Sequence, residues 1–185
     1  MMTSDYGLEL KFCRQEAAVA VADGAVISGY ASLFGLPDQG GDIVQKGAYA
    51  RSLRQMADKG GSVKMLWQHD PAQPIGVWDE IREDERGLFV KGRLLLDVAR
   101  AREAAALIGA GAIDGLSIGY RTIAAEKDAK GQRLLAELEL WEVSLVTFPM
   151  LKQARVAAKG DAPEAGDWRE LAAALQDAAR MLADR

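Results

Sequence analysis

The spacing of the β-rich runs most constrains what this chain can fold into. From Leu8 to Phe148, short apolar or alternating segments recur, cut by Gly, Pro and charged turns. Only two stretches among them carry helical periodicity. Leu8, Leu10 and Phe12 alternate with Glu9 and Lys11, as in a half-buried strand. Residues 26–34 form a second β-rich run, with Gly29 a natural place for a bulge. Residues 35–45, holding Pro37 and the Gly40-Gly41 pair, read as a loop. Tyr49, Leu53 and Met56 at i, i+4 and i+7 predict a helix over 48–57. Residues 63–68 predict a strand that leads to His69 and is ended by Pro71. A hairpin follows from 75–81 and 88–96, joined by the polar stretch 82–87.

The segment 97–110 is rich in Ala, Leu and Arg and predicts a second helix, with Asp97 as N-cap and Gly109 or Gly111 as the stop. Two further strands are expected over 113–123 and 134–148, connected by the charged turn 126–132 and closed by Pro149. Many strands with two interspersed helices, and no alternation of β and α units, argue for a mainly antiparallel sheet or barrel. The class is mainly β with flanking helices (α+β). The division expected along the chain is a β-domain over 1–156, a Gly- and Pro-containing linker over 157–166 and an amphipathic helix over 167–185. Trp168, Leu171, Leu175, Ala178 and Leu182 mark one face of that helix, which either docks on its own domain or binds a partner.

Bulk properties exclude several function classes. The net charge of −4 gives no electrostatic footprint for nucleic acid or an anionic membrane. No apolar run approaches the roughly 20 residues of a membrane-spanning helix. Nothing at the N-terminus reads as a signal peptide. One cysteine, Cys13, cannot form an internal disulfide, which fits a reducing cytoplasm. With one His and one Cys, a zinc-type metal site is disfavoured, and no cofactor is expected.

Two residues carry candidate chemistry. Ser117 lies in Gly115-Leu116-Ser117-Ile118-Gly119, and His69 is the single histidine of the chain. Any Ser–His mechanism must therefore use His69 as its base. The G-x-S-x-G match suggests the nucleophile elbow of α/β-hydrolases, but there the histidine follows the serine, and this chain has none after position 69. On a strand, Gly115, Ser117 and Gly119 share one face and leave it clear of side chains, while Leu116, Ile118 and Tyr120 face the core. The plain structural explanations are a tight barrel corner for the serine and a surface position for the histidine. For the orienting acid, alternation along 138–146 puts Leu138, Leu140, Glu142, Ser144 and Val146 on one face. A carboxylate on so apolar a face needs a partner, so Glu142 is preferred over Asp70 and Glu139.

The ordered set Gly29-Tyr30-Ala31-Ser32-Leu33-Phe34, Gly41-Asp42-Ile43-Val44, Trp67-Gln68-His69-Asp70, Pro74-Ile75-Gly76, Gly115-Leu116-Ser117-Ile118-Gly119-Tyr120 and Trp141-Glu142-Val143-Ser144-Leu145-Val146 resembles the prohead proteases of tailed bacteriophages. The likeness runs from about residue 25 to 156. It implies a mostly antiparallel β-barrel of the herpesvirus-protease (assemblin) type. It also implies a serine endopeptidase with Ser117 as nucleophile, His69 as base and Glu142 as third member. The implied substrate is scaffolding protein, or the scaffolding segment of the major capsid protein, and the protease itself. Cleavage would take place inside the assembling procapsid, in the cytoplasm of a bacterial host. Dimerisation is typical of the herpesvirus relatives, so a homodimer is left open. A phage, a prophage or a gene-transfer particle fits equally. Backbone N–H groups of Ile118 and Gly119 are the candidates for an oxyanion hole. The relatives' arginine-bearing loop has no clean counterpart in Met150-Leu151-Lys152-Gln153-Ala154-Arg155. A non-catalytic assembly factor and an esterase using the same Ser and His are the competing readings.

Overall fold

The β-rich runs pair into one sheet. The computed structural model describes residues 9–11, 19–22, 25–38, 40–147 and 156–158. Among these, ten strands form a curled half-barrel flanked by two helices. In chain order they are β1 (Glu9–Lys11), β2 (Val19–Ala22), β3 (Val26–Leu33), β4 (Asp42–Val44), α1 (Ala50–Asp58), β5 (Lys64–Trp67), β6 (Asp70–Glu83), β7 (Gly87–Leu94), α2 (Ala99–Gly109), β8 (Gly115–Lys127), β9 (Arg133–Val146) and β10 (Val156–Ala158). Across the sheet the order is β1-β8-β9-β5-β6-β7-β3-β2-β10, with β4 also paired to β9. The pairings are mostly antiparallel, as expected. The exceptions are β5 and β4 on β9, and β10 on β2, all parallel.

Alternation decides which face each strand buries. In β7, Leu88, Val90 and Leu94 are buried while Lys91 and Arg93 are exposed. The inward residues of β3, β5, β6, β7, β8 and β9 merge into one cluster that includes Ile27, Met65, Ile75, Val90, Ile118 and Val143. Helix α1 adds Leu53 and Met56, and α2 adds Ala101, Ala104 and Ile108. Burying a Leu or Ile side chain contributes about 1.5–3 kcal/mol, so this cluster dominates stability.

Several local expectations are corrected. The irregularity in β3 falls between Tyr30 and Ser32 rather than at Gly29. Part of the 35–45 loop is the short strand β4. Pro71 does not end the run after His69: it lies in β6, where residues 71–73 bulge out between the Trp67–Asp70 and Leu66–Pro74 pairs. Val98, not Asp97, is the N-cap of α2, and it makes no side-chain cap. The stop of α2 is a Schellman motif. Gly111 adopts φ +69°, its N–H bonds to Ile108 O at 2.9 Å, and the Ala112 N–H bonds to Leu107 O at 2.8 Å. The linker and terminal helix expected over 157–185 lie almost wholly outside the described residues.

One departure matters for the site. The β8–β9 register passes from Gly119–Glu142 to Tyr120–Leu140, so Trp141 is an extra residue on β9. A one-residue bulge exchanges the faces of everything beyond it. Leu138 and Leu140 therefore point into the core together with Val143 and Leu145. Glu142 and Ser144 take the opposite face. The expectation that Glu142 shares a face with Leu138 and Leu140 is wrong, and so is the apolar surface it was argued from. The Leu140 amide bonds to Ser52 Oγ of α1 at 2.9 Å, and the Leu138 amide to Ala48 O at 2.9 Å. Those bonds tie this stretch of β9 to the start of α1.

Candidate active site

The parallel pairing of β5 on β9 places the β5–β6 turn beside the end of β9, because Trp67 sits opposite Leu145. Gln68 and His69 are the two central residues of that turn, with φ of 52° and 60°. Trp67 and Asp70 pair across it, and two positive φ values are the signature of a type I′ hairpin turn. Neither residue is glycine, so the turn costs on the order of 1 kcal/mol per residue in backbone strain. Hydrogen bonds to β9 offset that strain. The Gln68 N–H bonds to Leu145 O at 2.9 Å, and Gln68 Nε2 donates to Thr147 Oγ1 at 2.7 Å. The His69 N–H donates to Ser144 Oγ at 3.1 Å.

The imidazole lies back over β9. His69 Nδ1 is 2.6 Å from Glu142 Oε1, with both side chains largely buried. The Ser144 hydroxyl donates to the other carboxylate oxygen, Glu142 Oε2, at 2.6 Å. Three hydrogen bonds thus close a ring: His69 backbone to Ser144, Ser144 to Glu142, and Glu142 to the His69 ring. With Glu142 ionised, Nδ1 is the donor in that last bond. The neutral imidazole then carries its proton on Nδ1, and Nε2 is the nitrogen that can exchange a proton with a nucleophile.

The other two acids are engaged elsewhere. Asp70 accepts from the Ala72 amide at 2.9 Å and from Gln73 Nε2 at 2.8 Å. Glu139 forms an ion pair with Arg121. Of the three carboxylates weighed from sequence, Glu142 lies within hydrogen-bond distance of the His69 ring.

Ser117 is fully buried on β8, directly opposite Ser144, with Gly119 opposite Glu142. Directly paired residues share a face, with Cβ atoms about 4.5–5.5 Å apart. Ser117 is therefore the neighbour, across one ladder step, of a residue that contacts both Glu142 and His69. Leu116, Ile118 and Tyr120 pack into the core as expected. The clearing at Gly119 serves a purpose that alternation alone does not reveal. A Cβ on Gly119 would lie 2.2 Å from Glu142 Oε1, so the absent side chain is the space the carboxylate occupies. Ile118 and Gly119 are the residues expected to supply the oxyanion hole. Both residues lie where β8 runs between β1 and β9, so strand neighbours flank their backbone on both sides. Among the described residues, no cluster of three or more His, Cys, Asp or Glu could hold a metal ion. No described helix is long and apolar enough to cross a membrane.

The model of the family described as caudovirus prohead serine protease matches residues 13–166. The chain belongs to that family. It is 34% identical over 138 residues to the prohead protease of Enterobacteria phage HK97, covering 72% of this chain and 59% of that protein. The chain thus spans under two thirds of that relative's length. The structure of the bacteriophage T4 capsid assembly protease superposes with a TM-score of 0.60 at 16% identity, over 75% of this chain and 96% of that one, and supports the fold. The varicella-zoster virus protease gives a TM-score of 0.37 at 15% identity, over 69% and 60% of the two chains, which is too low to bear on the fold. The family match takes in His69, Ser117 and Glu142 and stops before residues 167–185.

Sequence reasoning missed the roles of Ser144, Gln68 and Ser52. A signal existed for Ser144, since it stands two residues from Glu142 on the same strand face. Nothing in the sequence pattern announces Ser52, whose partner is a backbone amide on β9.

Proposed function

We propose that this chain is a serine endopeptidase of procapsid maturation, with Ser117 as nucleophile, His69 as general base and then acid, and Glu142 as the carboxylate that orients the imidazole. The reading is carried by the 2.6 Å contact between His69 Nδ1 and Glu142 Oε1, on the strand face that also bears Ser117. His69 Nε2 takes the proton of Ser117 as Oγ attacks the scissile carbonyl carbon. The same nitrogen returns that proton to the leaving amine as the C–N bond breaks. Water then hydrolyses the acyl-enzyme by the reverse sequence. Glu142 holds the ring in the tautomer that keeps Nε2 basic, and offsets the positive charge of the imidazolium. Ser117 is fully covered in this structure.

The substrates that family membership supports are scaffolding protein or the scaffolding segment of the major capsid protein, and the protease itself. The setting is the assembling procapsid in the cytoplasm of a bacterial host. The tail over 167–185 is proposed as an amphipathic helix that docks on the protease domain or binds a partner.

Co-expression with the major capsid protein tests the reading. The native chain should shorten the capsid or scaffolding protein, and Ser117→Ala should leave it full length. Losing Ser117 or His69 should remove on the order of 10⁶ in kcat. Glu142→Gln should remove on the order of 10⁴ by leaving the wrong tautomer. Equal capsid-protein length with the native chain and with Ser117→Ala overturns the protease and favours an assembly factor. Turnover of small esters without peptide cleavage favours an esterase.

A further inference from the structure

We infer that Ser144 is a positioning residue of this site: its hydroxyl sets the Glu142 carboxylate, and through it the tautomer and orientation of His69. The inference deepens the triad reading above and rests on it.

Three observations carry the inference. Ser144 is fully buried, and its Oγ makes two hydrogen bonds to the machinery: it donates to Glu142 Oε2 at 2.6 Å and accepts from the His69 N–H at 3.1 Å. A hydroxyl has one proton, and here that proton goes to the carboxylate, while a lone pair receives the backbone amide. The bond to Glu142 is short, as expected when the acceptor is ionised, and bonds of this kind are roughly twice as strong as neutral ones.

The two bonds act on different degrees of freedom. A carboxylate can rotate about its terminal torsion, which is broad and roughly two-fold. Holding Oε2 with Ser144 fixes that rotation, and so keeps Oε1 aimed at His69 Nδ1. The bond from the His69 amide meanwhile fastens the strained turn to β9, together with the Gln68 bonds on its other side. One side chain therefore joins the acid to the backbone that carries the base. Valine or alanine would suit a buried strand position equally well for packing. Neither could make either bond.

Ser144 also faces away from the main hydrophobic cluster, which its neighbours Val143 and Leu145 join. Removing its hydroxyl should therefore perturb the site more than the fold.

The test uses the full chain, with a fluorophosphonate probe whose phosphorus is attacked by Ser117 Oγ as fluoride leaves. Ser144→Ala should reduce the maximal labelling rate about 10- to 100-fold, the size of a lost hydrogen bond to a charged group, with little change in the probe concentration for half-saturation. The thermal midpoint should show a folded protein. In a Glu142→Gln background, where the ring already lacks its carboxylate, the same substitution should cost under about 3-fold more, because coupled residues are not additive.

A second readout does not depend on activity. The chain has one histidine, so ¹⁵N-labelled histidine gives a single pair of ring nitrogens. Ser144→Ala should shift that pair from the Nδ1–H tautomer toward Nε2–H. Native labelling rate and tautomer in Ser144→Ala overturn the inference, as does an equal loss in both backgrounds, which marks a purely structural role. If Ser117→Ala or His69→Ala still cleaves capsid protein, the triad reading fails instead, and the nitrogen spectrum still decides whether Ser144 governs His69.

Discussion

Gly119→Ala should disable this site without replacing any proposed catalytic residue. A Cβ on Gly119 would stand 2.2 Å from Glu142 Oε1, and 2.9 Å from both Cγ and Cδ of the same residue. Real Cβ atoms essentially never come within 3.0 Å of another heavy atom, so Oε1 must retreat by at least 0.8 Å. Oε1 is also the atom that holds His69 Nδ1 at 2.6 Å. A retreat of that size along the bond opens it to about 3.4 Å, beyond the range of an effective N–H···O bond. The alternative, a shift of β8, is resisted by its pairing to β9 on one side and β1 on the other. The expected cost therefore approaches that of losing the orienting carboxylate, about 10³–10⁴ in kcat. Alanine keeps the backbone N–H, so a role of Gly119 confined to oxyanion binding predicts almost no loss. Peptide cleavage rates, the ¹⁵N spectrum of the lone histidine and a thermal melt measure the outcome. A folded Gly119→Ala protein that cleaves within about 3-fold of the native rate would refute the packing argument.

Two further outcomes are expected. Burial tends to raise the Asp84 carboxyl, but hydrogen bonds from Tyr30 Oη, the Arg86 and Gly87 amides and the Arg82 guanidinium outweigh it and hold it below the ordinary aspartate range. A lowered carboxyl contributes stability above its unfolded value, about pH 4, and loses it as the pH falls through the folded one. Asp84→Asn should therefore cost about 1 kcal/mol at neutral pH and flatten the acid side of the stability profile, as denaturant melts from pH 7 to 2.5 would show; an unchanged acid limb counts against the account. Deleting residues 160–185 should spare peptide cleavage in solution and reduce incorporation into procapsids; a deletion that unfolds the domain would assign the tail to the core.

Much of the sheet was legible because strand alternation is a local signal. Val90 and Leu94 against Lys91 and Arg93, or Leu116 and Ile118 against Ser117, report their faces directly. The contact of the lone histidine with Glu142 was anticipated by the family resemblance, and by a face argument that the structure overturns. What alternation could not deliver was the parity of β9. A bulge depends on the partner strand, and nothing local marks Trp141 as the extra residue. Glu142 was therefore selected for an apolar face that it does not occupy. In the structure it shares a face with Ser144, the two standing opposite Gly119 and Ser117 respectively. The turn was hidden for a similar reason. Gln68-His69 lacks the Asn-Gly chemistry of a type I′ turn, so 63–68 read as a strand that leads to His69 and is ended by Pro71. Tertiary hydrogen bonds to Leu145, Ser144 and Thr147 impose that conformation instead.

The bulge explains how one strand can serve both the core and the site. Before Trp141, β9 sends Leu138 and Leu140 inward; after it, Val143 and Leu145 take over that duty. An unbroken alternation from Leu140 would point Glu142 and Ser144 into the apolar cluster, where a carboxylate and a hydroxyl cost several kcal/mol without partners. The extra residue moves both to the other face without interrupting the core, and it leaves the Trp141 side chain exposed. The Leu140 amide, at the bulge, is tied to Ser52 Oγ at 2.9 Å. Its geometry is therefore anchored to α1, on the side of β9 away from Ser117. The exposed tryptophan and the buried serine on α1 are the visible conditions for the His69–Glu142 contact, although neither touches the histidine.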